Sequence, residues 1–326
     1  MKSPVSWVGN KTTLLPYIHA ILPPDCPRFV DVFGGSGTVF LSRNPNPGDF
    51  EVYNDFDGDL VNLFRCMKTR TVALIRELGF LSLNSRDDFN VLKKFIAQEK
   101  FDDDFLKEEL DLTKVILPDI KAEELSEIML TRAKQYDVRR AANYLKLIRY
   151  SYSSGLKSFA SQPYDIRKLF SLILQMQERL TDVVVENQDF ETLIKHYDRP
   201  NTVFYCDPPY YETEGMYAAC FTKEDHERLR DTLAEIEGRF LLSYNDCPYI
   251  RELYHDFNFM ECSRIHSMAQ RYEAGAQFPE LLIGNFDLLE TQKNKPYQMT
   301  LFDHYETDSD YEKILKECIV ACKIKR

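Results

Sequence analysis

The segment from Arg28 to Asp55 limits the possible folds of this chain more than any other. Arg28-Phe29-Val30-Asp31-Val32-Phe33 reads as a buried strand and runs directly into Gly34-Gly35-Ser36-Gly37. Thr38-Val39-Phe40-Leu41 then opens a helix. A second strand, Glu51-Val52-Tyr53-Asn54, ends at Asp55, eighteen residues past Gly37. Strand, glycine turn, helix, strand and acid in this order form a nucleotide-binding arrangement. The glycines let backbone N–H groups approach a ligand, and the acid can accept from both ribose hydroxyls. Asp55 also fits an N-cap for a helix over 56–64, since aspartate is a favoured cap. Asp31, inside a buried strand, needs a partner: a ligand's amino group or a neighbouring backbone donor.

Strand-like texture recurs at 182–186, 202–206, 239–244 and 280–286, with helical patterns between several of these, notably 223–237. The alternation implies an α/β sheet with helices on both faces. From about Leu60 to Tyr150 the texture turns to charged, helix-period sequence with few glycines, as in Leu60-Val61-Asn62-Leu63-Phe64 and Tyr144-Leu145-Lys146-Leu147-Ile148. This reads as an inserted helical module.

The run Thr202-Val203-Phe204-Tyr205-Cys206 delivers Asp207-Pro208-Pro209-Tyr210 at its end. The prolines fix φ and bias the residue before them toward extended geometry, so the corner is rigid. It offers a carboxylate, a backbone carbonyl outside any helix, and a flat ring. That set suits a planar group bearing an exocyclic amine: Asp207 and the Pro208 carbonyl accept from the amine while Tyr210 stacks.

The 326 residues carry a net charge of −11, but unevenly. Between Arg132 and Lys157, seven basic residues (Arg132, Lys134, Arg139, Arg140, Lys146, Arg149, Lys157) face one acid, Asp137, a net of +6. Such a one-sided cluster favours phosphate contact, the alternative being a solvated helix face. The eight cysteines are scattered, with no CxxC pair, which reads as reduced thiols in a cytoplasmic protein with no metal site. No run of about 18 apolar residues suggests a membrane span, and the start lacks a secretion signal.

The glycine turn joined to Asp207-Pro208-Pro209-Tyr210 resembles the adenine-N6 DNA methyltransferases of the Dam type, and the resemblance covers nearly the whole chain in matching order. It implies a Rossmann-like methyltransferase core over 1–57 and 160–290. A helical target-recognition insert over 58–159 and a polar tail over 291–326 would complete the chain. It implies S-adenosylmethionine as cofactor and double-stranded DNA as partner, with a target adenine flipped into the pocket of the Asp-Pro-Pro-Tyr corner. By the same resemblance, Asp207, Pro208 and Tyr210 are catalytic. Trp7, Gly9, Lys11, Asp31, Phe33, Gly34, Gly35, Gly37, Asp55, Asp189, Phe190 and Asp207 bind cofactor. Arg149-Tyr150-Ser151-Tyr152-Ser153-Ser154-Gly155 resembles the family's DNA-contacting segment. Arg132, Arg139, Arg140, Arg149, Tyr152 and Lys157 are then the candidate DNA contacts. The family usually has Gly-Gly-Lys where this chain has Gly9-Asn10-Lys11; asparagine tolerates positive φ, so the turn is expected to survive.

Two rivals use a similar corner, a glutamine-amide methyltransferase with Asn at its first position and a cytosine-N4 enzyme with Ser there. Asp207 separates this chain from both. A DNA-binding protein that has lost catalysis has no physical need for Asp207, Tyr210 and Asp55 together. In the tail, Gln298-Met299-Thr300-Leu301-Phe302 resembles the Q-x-x-L-F peptide that docks on the replication sliding clamp. The alternative is that Leu301 and Phe302 pack on this protein's own sheet.

Overall fold

The computed structural model describes residues 1–7, 9–79, 85–97, 104–116, 121–123, 125–126, 137–152, 156, 158–160, 164–211, 221–265 and 277–289. They divide into two compact units. One holds Met1–Ser3, Gly9–Asp57 and the described chain from Asp182 on; the other holds Pro4–Val8 and Gly58–Thr181.

The first unit is built on a seven-stranded sheet: β1 (Arg28–Asp31), β2 (Phe50–Asn54), β3 (Val184–Glu186), β4 (Thr202–Cys206), β5 (Arg239–Asn245), β6 (Asn258–Ile265) and β7 (Gln277–Gly284). Their spatial order is β3-β2-β1-β4-β5-β7-β6. The first five are parallel, and β7 runs antiparallel to both β5 and β6. Chain order reverses at β1, which pairs with β2 on one side and β4 on the other. A ligand crevice in such a sheet forms beyond the carboxyl ends of the strands at that reversal.

Alternation sorts the side chains between the two faces. Val30, Val32, Val52, Phe204, Cys206, Phe240, Leu242 and Tyr244 cluster with the apolar sides of helices Phe190–Tyr197, Lys223–Ala234 and Pro248–Leu253. The alternate positions Phe29, Asp31, Val203, Tyr205, Leu241 and Ser243 are also buried, so β1, β4 and β5 are covered on both faces. All five residues of β4 are buried, which is why it reads as a continuous apolar run. Helix Lys223–Ala234 starts from a capping box in which Thr222 and Asp225 satisfy each other's backbone N–H. The first helix, Leu15–Ile21, has Pro16 in its first turn, where a missing N–H costs nothing.

The second unit is helical, with helices Gly58–Thr69, Thr71–Gly79, Arg86–Ile96, Asp104–Ile116, Val138–Tyr150 and Phe170–Arg179. Helix Val138–Tyr150 is its centre and buries nine of its residues, Lys146 among them. Asp137 caps it by accepting from the Arg140 N–H. Asn62 fixes that cap from outside: its Oδ1 accepts from the Asp137 N–H at 2.9 Å and its amide donates to the Asp137 carbonyl at 2.9 Å. No helix among the described residues is long and apolar enough to cross a membrane.

Candidate active site

The turn after β1 is shaped by the neighbouring strand. The Gly34 N–H donates to the Asn54 carbonyl at 2.7 Å, and Gly37 N–H to the Gly34 carbonyl at 2.7 Å. Gly35 and Gly37 sit at φ of 52° and 71°, where glycine carries no Cβ penalty. Gly34 is required for a different reason: a Cβ there would lie 2.2 Å from the Tyr53 ring. Tyr53 is itself fixed, since its hydroxyl donates to the Gly35 carbonyl at 2.6 Å. The Asn54 amide donates to the Val32 carbonyl (2.9 Å) and the Gln188 carbonyl (3.2 Å), and its oxygen accepts from the Gln188 N–H. One buried side chain thereby ties together the ends of β1, β2 and β3. Nothing in the sequence pattern singles it out.

Asp55 accepts from the Gly35 N–H and the Asp57 N–H, both at 2.8 Å. The helix after it begins at Gly58, so Asp55 holds the glycine turn and does not cap that helix. Burial pushes its pKa up to about 6, against the pull of those backbone donors. Asp31 is 1% exposed. Burial, then the Asp207 and Asp55 carboxylates, raise its pKa well above the usual carboxylate range, while a hydrogen bond from the Phe40 backbone opposes them. Among the described residues its Oδ1 has no hydrogen-bond partner. An open buried acceptor between two other acids fits a ligand bearing an amino group or hydroxyls.

At the end of β4, Asp207 is gripped from two sides. The Lys11 ammonium lies 2.7 Å from its carboxylate and also donates to the Gly9 carbonyl at 2.8 Å. The Ser243 hydroxyl, from β5, donates to Oδ1 at 2.9 Å. Lys11 sits 4.8 Å from the centroid of the Tyr210 ring, a cation–π distance. The Tyr210 hydroxyl donates to Glu280 of β7 at 3.1 Å, which fixes the ring's tilt. The Gly9-Asn10-Lys11 turn survives by a simpler route than expected. Gly9 takes the positive φ (80°), Asn10 takes none, and Asn10 Oδ1 accepts from the Thr12 N–H at 2.8 Å. No motif points to Ser243 or Glu280, because only the sheet brings them to the corner.

Asp189 caps helix Phe190–Tyr197, and both its oxygens accept from Arg228, at 2.8 and 2.9 Å. The Arg228 guanidinium also lies over the Phe190 ring at 4.1 Å. Phe33, Phe190 and Phe221 form a triangle of rings with centroids 5.7 to 5.9 Å apart. Beside Asp55, Phe56 leaves its ring 64% exposed, an aromatic face that no sequence motif marks. Trp7 is half-buried and belongs to the helical unit. Among the described residues no group of three or more His, Cys, Asp or Glu could hold a metal ion.

In the helical unit, the fold supplies counter-charges that the sequence window hides. Arg140 pairs with Asp59 through both guanidinium nitrogens, one bond measuring 2.8 Å. Arg139 lies 3.7 Å from Glu77. Lys146 is buried, its pKa lowered by desolvation, with its ammonium 3.3 Å from the Glu77 carbonyl. Arg149 donates to the Ser6 hydroxyl and stacks on Tyr164 at 4.2 Å. Tyr152 is 48% exposed. Arg132, Lys134 and Lys157 lie outside the described residues, as do Gln298, Leu301 and Phe302.

The family model described as D12 class N6 adenine-specific DNA methyltransferase matches residues 7–268. The type II methyltransferase M1.LlaDCHI of Lactococcus lactis subsp. cremoris is 24% identical over 301 residues, 86% of this chain and 94% of that protein. A protein of Haemophilus influenzae named DNA adenine methylase is 23% identical over 290 residues, 85% of this chain and 91% of its own. Type II methyltransferase M.CviBI of Paramecium bursaria Chlorella virus NC1A is 23% identical over 259 residues, 78% and 86% of the two chains. A mixed sheet whose chain order reverses at the glycine turn, with Asp-Pro-Pro-Tyr on the next strand and a family match across both, leaves one assignment: this chain belongs to the D12 class N6 adenine-specific DNA methyltransferases.

Proposed function

We propose that the chain methylates the N6 amine of adenine in double-stranded DNA. The target base would be flipped out of the duplex and held by Asp207, the Pro208 carbonyl and Tyr210. The observation that carries this reading is the parallel pairing of β4 with β1, which brings Asp207, just past the end of β4, near Asp31 and the glycine turn that follows it. S-adenosylmethionine, when bound, would supply an electrophilic methyl on a positively charged sulfur. The residues present fit it: Asp31 Oδ1 would accept from its amino group, Asp55 beside the glycine turn would accept from its ribose hydroxyls, and the exposed Phe56 ring would face its adenine.

The protein's own groups then have defined tasks. Asp207 and the Pro208 carbonyl accept the two amine hydrogens and turn the nitrogen lone pair out of conjugation with the ring. Asp207 also stabilises the positive charge that develops on N6 as it is alkylated, until N6 loses one of its two protons to water and neutral N6-methyladenine is left. Lys11 holds Asp207 in place and balances its charge before the base arrives. Tyr210 offers a ring face to the base, and Glu280 holds that ring. Flipping costs roughly a few kcal/mol, which stacking and the polar contacts offset. The helical unit is proposed to contact the DNA, with Arg149, Tyr152 and Lys157 nearest to phosphate.

The test is expression in a bacterial host free of adenine methylation, with genome-wide detection of N6-methyladenine. A methylated sequence motif that disappears in Asp207→Ala is expected. Methylation that survives Asp207→Ala in a folded protein would remove Asp207 from the chemistry.

A further inference from the structure

Asp207 is the end of a buried hydroxyl chain that the Asp-Pro-Pro-Tyr motif does not contain. Strand alternation places Tyr205 and Asp207 on one face of the β4 strand and its extension. The parallel pairing of β4 with β5 sets Tyr205 opposite Leu241 and Cys206 opposite Leu242, so Ser243 falls beside Asp207. The Tyr205 hydroxyl lies 3.2 Å from Ser243 Oγ, and Ser243 Oγ lies 2.9 Å from Asp207 Oδ1. Tyr205 is 2% exposed and Ser243 is 0% exposed, so water does not compete at either hydroxyl.

The proton order along this chain follows from what each group can do. As a carboxylate Asp207 only accepts, and at 2.9 Å it is a nearer acceptor for the single Ser243 proton than the Cys206 carbonyl at 3.5 Å. Ser243 Oγ can then only accept from Tyr205. Burial and the nearby Asp207 charge raise the Tyr205 pKa well above the usual phenol range, so Tyr205 keeps its proton and donates. The order is Tyr205 O–H to Ser243 Oγ, then Ser243 O–H to Asp207 Oδ1.

Resting on the proposed role of Asp207, we infer that Ser243 and Tyr205 are positioning residues for methyl transfer. They fix the rotation of the Asp207 carboxylate about its Cβ–Cγ bond. Lys11 alone cannot do this, because an ammonium equidistant from two oxygens is indifferent to which one faces the amine. The serine donor distinguishes Oδ1 from Oδ2 and keeps a lone pair aimed at the incoming N–H. Tyr205 acts on Asp207 only by aligning the serine.

The experiment is a double-mutant cycle on single-turnover methylation of a DNA duplex bearing the recognised sequence, by the full-length protein at saturating S-adenosylmethionine. Ser243→Ala should lower the rate about 10–100-fold. Tyr205→Phe should lower it less, about 2–10-fold. In the Ser243→Ala background, Tyr205→Phe should have no further effect, because its route to Asp207 is already cut. Cofactor affinity, measured by calorimetry, should stay within about twofold in all three variants. Additive rate effects, an unchanged rate in Tyr205→Phe, or losses that track cofactor affinity would each overturn the inference. If Ser243→Ala does not fold, the rate and cofactor affinity of Tyr205→Phe decide alone. Asp207→Ala is run beside them. An active Asp207→Ala would sink the role of Asp207 itself, whereas a dead Asp207→Ala with an unaffected Tyr205→Phe sinks only the relay.

Discussion

In Asp55, burial acts on a carboxyl that is proposed to hold the cofactor's ribose. Its pKa, pushed up to about 6 by burial, lies above the unfolded value of 3.8. The folded state therefore holds more protons between those values, and the stability from protonated Asp55 is lost as pH rises toward 6. A ribose whose hydroxyls donate to Asp55 favours the ionised form, so cofactor affinity has the opposite slope. Affinity for S-adenosylmethionine is expected to rise about tenfold between about pH 5 and about pH 7. Asp55→Asn should flatten that rise and weaken binding throughout; an unchanged pH profile in the variant would place the titration elsewhere. At this scale the sequence is legible where chemistry is contiguous. Asp207 and Tyr210 stand within one motif, and Asp55 follows its own strand. Ser243 and Glu280 are not legible, because they reach the corner across 36 and 70 residues of chain and are of residue types that occur everywhere.

Elements are most legible where burial is complete. The expected strand at 202–206 coincides with β4, whose two buried faces leave an unbroken apolar run. The strand expected at 280–286 begins earlier, at Gln277, and β6 is not anticipated by the pattern. Among the described residues β6 pairs with β7 alone, at the sheet's edge, so polar residues interrupt it and its alternation is weak. The reversed direction of β7 is invisible in sequence, since pairing sense leaves no mark on composition. The glycine turn is legible as flexibility, but at Gly34 the demand is for space. Gly34→Ala would drive a methyl into Tyr53, whose ring is buried and hydrogen-bonded to Gly35. We expect about 1–3 kcal/mol of destabilisation in a denaturant titration, with weakened cofactor binding. Gly34→Ala with the stability of the parent would mean that Tyr53 moves freely, and the turn would then owe nothing to it.

For the whole molecule, a net charge of −11 and a DNA partner coexist only if the charge is arranged locally. The sequence window from 132 to 157 carries +6, and folding changes that balance by bringing Asp59 and Glu77 from two other helices against Arg140 and Arg139. A guanidinium held by both nitrogens on one carboxylate, with each side chain only about a quarter exposed, is committed to holding helices together. Arg140→Gln should therefore cost about 1–2 kcal/mol of stability in the helical unit. It should leave the dependence of log affinity on log salt unchanged, because removing a cation that neutralises one phosphate would reduce that slope by about 0.9. Tyr152→Ala, at an exposed position carrying no charge, should weaken DNA binding equally at all salt concentrations. A slope that falls by about 0.9 in Arg140→Gln, with stability intact, would return Arg140 to the phosphate-binding set and make Asp59 a partner that DNA displaces.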